Sequence, residues 1–142
     1  MTPENAQKTQ LALAILRVLI GVIFVAHGYQ KFFEYTLPGT TGAFTQMGIP
    51  LAGVVAPLVA TIELIGGLAL IAGLFTRIAA GLLALNMLGA LLLVHIKGGF
   101  FAPNGIEFPL ALIGATVSLA LAGAGAFALD DLRIKNRQAV QA

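Results

Sequence analysis

Glu63 and Arg17 stand where ionisable side chains are costly, each inside a long run of apolar residues. Glu63 is midway along the run 51–75, ~18 Å from either end at the rise of an α-helix. An unpaired carboxylate at that depth in hydrocarbon is disfavoured by several kcal/mol, so Glu63 is expected to be neutral or paired. Arg17, ~9 Å into the run 11–33, is the expected partner, its long side chain closing the gap along the bundle axis. Such a pair has two uses: it fixes the register of two helices, or it forms a proton or ligand site.

His27 and His95 share a depth, ~24–26 Å above the inner ends of their runs. Two imidazoles at one level can hold a quinone head group by hydrogen bonds, or ligate haem or a metal ion. Otherwise each anchors its helix at the interface, beside Tyr29 and Lys97. No haem motif accompanies them. Arg17, Gly21, Phe24, Gly28 and Lys31 lie on one helical stripe, and their glycines make a smooth groove between two cations for another helix or a flat ligand. Asn86 is half a turn round from His95 on a straight helix. It cannot face the same cavity unless the helix bends, and it reads as an interhelical hydrogen bond. Glu107 opens the last run, a place where the helix dipole favours a carboxylate, and it is level with the histidines. Lys31, His27, His95, Lys97 and Glu107 are therefore expected to ring an outward-facing pocket. The turn Gly98-Gly99-Phe100-Phe101 would dip into the membrane as its flap.

Four apolar runs must position these groups: 11–33, 51–75, 78–96 and 108–129. Each can cross ~30 Å of hydrocarbon as a helix, and no period-2 alternation suggests a barrel. The expected fold is an all-α membrane protein, a four-transmembrane-helix bundle forming one domain over residues 1–142. Composition agrees. The chain is 58% hydrophobic and 10% charged, with a mean hydropathy of +0.95. A soluble domain carries ~25% charged residues, so this chain could not cover a water-facing surface. The absence of cysteine excludes disulfides, thiol relays and Cys-ligated clusters in this chain. The net charge is +2 with no basic patch, which gives no footing for nucleic acid. The first run reads as a retained span, because Arg17 interrupts the apolar region of any signal peptide and no small-residue cleavage site precedes Gly28.

Lys8, Arg77, Arg133, Lys135 and Arg137 gather on one side, against Lys31 and Lys97 on the other, so the positive-inside rule puts both termini in the cytoplasm. The connections 34–50 and 97–107 then face out, and the short turn at Thr76-Arg77 makes a tight inner hairpin. Rows of small residues at Ala52, Ala56, Ala60 and at Gly114, Ser118, Ala122 are expected to bring helices close. Pro57 is expected to kink the second span.

In their order and spacing these residues resemble the DoxX family of small four-helix membrane proteins. The matching features are Arg17-x-x-x-Gly21 leading to His27-Gly28-Tyr29-Gln30-Lys31, then Glu63-Leu64-Ile65-Gly66-Gly67 and Gly73-Leu74-Phe75-Thr76-Arg77. His95 follows, with Gly99-Phe100-Phe101 and Glu107, and the tail from Gly123 to Asp130 is similar to the family's ending, with Ala128 in place of its usual Ser. The resemblance covers about residues 11–132. It implies a helical bundle in the bacterial cytoplasmic membrane. Some DoxX-like proteins are subunits of quinone-linked oxidoreductases, including a thiosulfate:quinone oxidoreductase, and others accompany membrane complexes for oxidative and thiol stress.

Three functions follow as expectations. In the first, the protein is a component of a quinone-linked oxidoreductase. Glu63, His27, His95 and Glu107 then move protons or hydrogen-bond the ring oxygens, and Arg17, Lys31, His27 and His95 hold the quinone. No dinucleotide fingerprint is present, so electrons come from a partner of the redox complex or a small substrate. In the second, the protein is a non-enzymatic assembly subunit. In the third, it carries a small molecule or lipid, for which a homodimer would suffice.

Overall fold

In hydrocarbon a backbone must satisfy its own N–H and C=O groups, and a helix does so within one segment. The computed structural model describes residues 1–132, and every regular element among them is helical. Helix α1 spans Pro3–Tyr29, α2 Thr36–Gln46, α3 Ala52–Ala72, α4 Thr76–Ala90 and α5 Glu107–Ala122. A π-helical turn, Gln30–Glu34, extends α1. A second, Leu91–His95, extends α4 and passes into a short 3-10 turn, Ile96–Gly98. With these extensions three helices are long and apolar enough to cross a membrane: Pro3–Glu34, Ala52–Ala72 and Thr76–Gly98. Helix α5 has 16 residues, ~24 Å of rise against ~30 Å of hydrocarbon.

Neighbouring helices run antiparallel in a ring of α1, α3, α4 and α5, around a core that includes Ile20, Phe24, Leu70, Leu83, Met87, Leu112 and Leu119. The surface is apolar: Val22, Ile65, Leu85 and Leu121 stand half or more exposed, as suits an exterior facing lipid. The closest approach is between α1 and α3. A Cβ on Gly67 would lie 2.7 Å from the Val25 nitrogen, and one on Gly28 would lie 2.7 Å from the Leu64 Cα. The glycine stripe of α1 thus serves as a seat for α3, the helix-packing use of the groove.

The hairpin between α3 and α4 is tight, as its short turn requires. Gly73 has φ 67, a left-handed conformation that costs glycine nothing. Its N–H bonds the Leu70 carbonyl, and the Leu74 N–H bonds that of Ala69, the paired bonds of a Schellman motif. Helix α4 starts two residues later, and its first N–H groups are satisfied from far along the chain. The Asp130 carboxylate accepts from Phe75 N at 2.8 Å and Thr76 N at 3.1 Å.

Three expectations change here. The last run, expected to be helical to residue 129, stops at Ala122. Gly123 takes φ 96, and the chain folds back so that Ala126 N bonds Gln10 O and Asp130 reaches α4. The connection 34–50 contains α2, packed against α3. Its Thr- and Gly-rich sequence has low helix propensity, and tertiary packing overrides it. The row Gly114, Ser118, Ala122 is exposed among the described residues, because α5 buries its other face through Pro109, Leu112, Thr116 and Leu119. By contrast Ala52, Ala56 and Ala60 are buried as expected. Helix α3 runs unbroken through Pro57. Arg133, Lys135 and Arg137, part of the topology argument, lie outside the described residues.

Overpacking a close seat typically destabilises by ~1–3 kcal/mol. Gly28→Val should therefore lower the melting temperature of detergent-purified protein by several degrees, and Gly114→Val, which meets open space, should leave it unchanged. A fluorescence-detected thermal melt reads both.

Candidate functional site

Glu63 lies on the buried stripe of α3 that also carries Ala56, Ala60, Gly67 and Leu70. Its side chain is 4% exposed, and both oxygens are taken. Oε2 is 2.5 Å from the Lys31 ammonium, and Oε1 accepts from Asn86 Nδ2 at 3.1 Å. One buried carboxylate is thus held by α1 on one side and α4 on the other. Asn86 makes the interhelical hydrogen bond expected of it.

The expected Arg17–Glu63 pair does not form. Arg17, 2% exposed, lies beside the end of α3. Its Nη1 donates to the carbonyls of Leu70 and Ile71, both at 2.9 Å, and its Nη2 to those of Ala126 and Phe127 at 3.2 and 3.3 Å. The carbonyls left over at a helix C-terminus, with the dipole behind them, suit a cation. The depth estimate failed because α1 extends beyond the end of α3, beside the returning segment 123–130. Measured from the level Arg17 and Gly73 share, Lys31 is ~21 Å up and Glu63 ~15 Å. A lysine side chain closes that difference. Lys31 was on the right stripe in the sequence, and only the register was missing.

Between α1, α3, α4 and α5, and under the end of α2, lies a cavity of about 560 Å³. Its polar groups are His27, Lys31, Glu63, Asn86 and His95, set among apolar walls that include Phe24, Ile62, Leu82 and Phe108. Asn86 and His95 do share a cavity. The π-helical turn Leu91–His95 is wider than an α-turn, so it advances with less rotation per residue and swings His95 to the Asn86 side. His95 Nδ1 is 3.1 Å from the Asn104 carbonyl. A carbonyl only accepts, so Nδ1 carries the proton and Nε2 of the neutral ring is left as an acceptor. His27 stacks obliquely on Phe108 at a centroid distance of 6.0 Å.

Two members of the expected ring are elsewhere. Lys97 is exposed and does not line the cavity. Glu107 sits in the first turn of α5, where its Oε1 accepts from Ala102 N at 2.7 Å and closes the neck of the loop. That loop folds on itself, so its carboxylate is used before it can reach the cavity, while Phe101 stands 76% exposed at the tip. Among the described residues no group of three His, Cys, Asp or Glu is placed to hold a metal ion.

Sequence reasoning missed Thr40. This buried residue of α2 donates its hydroxyl at 3.0 Å to the carbonyl of Lys31, the residue that pairs with Glu63. A Thr- and Gly-rich stretch read as loop carries no signal for it.

A family model described as DoxX matches residues 12–96. A Bacillus subtilis protein named "Putative oxidoreductase CatD" is 36% identical over 129 residues, 91% of this chain and 92% of its own length. The Escherichia coli "Inner membrane protein YqjF" is 32% identical over 86% of this chain and 92% of its own length. A Mycobacterium tuberculosis "Uncharacterized membrane protein Rv3486" is 32% identical over 81% of this chain and 77% of its own length. No solved structure matches the chain significantly.

A double-mutant cycle separates the two pairings. Lys31→Met and Glu63→Gln should be non-additive in unfolding free energy by ~1–3 kcal/mol, because each removes the other's partner. Arg17→Met and Glu63→Gln should add within ~0.5 kcal/mol. Denaturant unfolding in mild detergent measures both cycles.

Proposed function

The chain belongs to the DoxX family, and from that premise we propose that it binds a quinone, or a similar small redox-active ring, in the cavity around Glu63 as a component of a membrane oxidoreductase. The observation that carries this reading is one cavity of about 560 Å³ holding a lysine–carboxylate pair and two imidazoles among apolar walls, inside helices of membrane length. Ligand sites are typically of this size, mostly apolar with a few convergent polar groups. The name of the Bacillus subtilis relative agrees with redox chemistry.

The residues present fit such a ring. Phe24, Ile62, Leu82 and Phe108 offer flat apolar walls, and the ring oxygens need donors. Lys31 has ammonium protons beyond the one directed at Glu63. His27 makes no hydrogen bond among the described residues, so its ring is free to serve an oxygen. His95, held in one tautomer by Asn104, accepts a proton from a hydroxyl. A quinone supplies two-electron, two-proton chemistry. The chain's own part is to orient the ring, exclude water and exchange protons through His95 and the Lys31–Glu63 pair. Arg17, bound to four carbonyls away from the cavity, and Glu107 have no part in it. Electrons come from a partner or a small substrate.

The reading includes four crossings, with α5 as the short fourth, and both termini on the inner side of the bacterial cytoplasmic membrane. The antiparallel ring of α1, α3, α4 and α5 supports four crossings, and the placement of Lys8 and Arg77 at one end of it supports the orientation. One observation favours an assembly role as well: the row Gly114, Ser118, Ala122 is exposed, with open space at Gly114, and suits a helix of a partner or a second copy.

A methylnaphthoquinone added to the protein in nanodiscs should raise its melting temperature, as any ligand selective for the folded state does. His95→Ala and His27→Ala should abolish the shift and Glu107→Gln should preserve it. No shift for the parent protein, together with no quinone in its organic extract, sinks the reading.

A further inference from the structure

We infer that the ligand of this cavity is an amphiphile with a long apolar tail, which enters sideways from the bilayer between α3 and α4 and leaves its tail along their outer halves. The inference rests on the cavity being a ring-binding site, and it replaces access from the outer surface with access from lipid.

Helix spacing is the first reason. Helices α1 and α3 are zipped together by glycines at both halves of their contact. Helices α3 and α4 instead meet closely in their inner half, where a Cβ on Gly66 would lie 3.1 Å from the Leu83 side chain. Further out the cavity lies between them, lined by Leu58 on one and by Leu85, Gly89 and Leu93 on the other.

Exposure is the second. The back of the cavity, Phe24 and Glu63, is buried. Leu58, Leu85 and Leu93 line the same cavity and are 55%, 66% and 53% exposed on the outside of the bundle. Set on both α3 and α4 and facing outward, these three side chains frame the mouth. At this depth on a membrane-spanning helix, outside means acyl chains. A Cβ on Gly89, at the edge of the mouth, would meet nothing within 4 Å.

The third reason is that the outer exit is roofed. Met47 and the buried Ile49 from the turn after α2, and Pro103 from the outer loop, line the cavity from above; Met47 and Pro103 are exposed on their far side, and the His95–Asn104 hydrogen bond holds that loop over the cavity. A tail gains little by exchanging one hydrocarbon surface for another. It concentrates the ligand in the bilayer and orients it, head inward to Lys31 and Glu63, chain outward through the mouth.

The test uses full-length protein in nanodiscs and a methylnaphthoquinone whose polyprenyl chain ends in a diazirine, with the tail-less methylnaphthoquinone as its pair. Photolabelling should fall on the α3–α4 rim at Leu58, Leu85 and Leu93. Gly89→Trp should abolish it by filling the mouth, and Gly114→Trp on the far face of α5 should leave it intact. Labels on Met47 or Pro103, or rim labels indifferent to Gly89→Trp, overturn lateral access. So does a failure of the tailed probe to label while the tail-less quinone still raises the melting temperature, an outcome that spares the quinone reading. If neither probe binds, the quinone reading fails and this inference falls with it.

Discussion

A carboxylate in the middle of a membrane must be answered, and in this protein the answer to Glu63 organises the outer half of the bundle. Removing one partner of a buried pair costs several kcal/mol, because the survivor is left charged and dry. Lys31 and Asn86 provide the answer from different helices. To bring Lys31 within reach, α1 must lie almost backbone to backbone on α3, and the glycines at 21, 28 and 67 allow it. To bring Asn86 within reach, α4 must turn its polar residue inward. The same packing requirement that holds three helices together therefore leaves a charged pair, rather than a hydrocarbon plug, at the back of a cavity.

The two ends of the bundle have different chemistry. The end at the α3–α4 hairpin is closed by hydrogen bonds between distant parts of the chain: Arg17 on the carbonyls at the end of α3 and of the returning segment, Asp130 on the start of α4. These bonds satisfy groups that helix ends leave open, and they engage Arg17, the cation expected at Glu63. The opposite end is built from two π-helical turns and the short helix α2. π-turns often accompany functional sites because they re-aim side chains. Here one of them aims His95 into the cavity, and the other lies where Lys31 offers its carbonyl to Thr40.

Much of this was legible in the residues. The charge-poor composition indicated a membrane protein, and the runs around residues 11–33, 51–75 and 78–96 overlap the three long helices. That the Glu63 carboxylate must find a partner needed only its depth. Asn86 was read as an interhelical hydrogen bond and makes one. What could not be read was register. Depth measured from the end of an apolar run assumes that all helices start at one level, and α1 does not, so Arg17 was assigned to Glu63 when Lys31 is the true partner. Periodicity also hides departures from 3.6 residues per turn, which is why Asn86 and His95 looked incompatible on one wall. The fourth run showed the limit of hydropathy. Residues 123–128 are apolar, yet they turn back as a loop whose Ala126 and Phe127 carbonyls accept from Arg17. Nothing in the composition of 34–50 announced a helix whose fold depends on its neighbours.

The central claim is that Glu63 answers to Lys31 at the back of a cavity shaped for a ring. A high-resolution electron cryomicroscopy map of the protein in lipid, purified without added ligand, tests it most directly. The account predicts continuous density between the Lys31 and Glu63 side chains, Arg17 on the end of α3, and flat density among His27, Glu63 and His95. A map with Glu63 on Arg17, or with the outer halves of α3 and α4 closed together over a filled core, would contradict it.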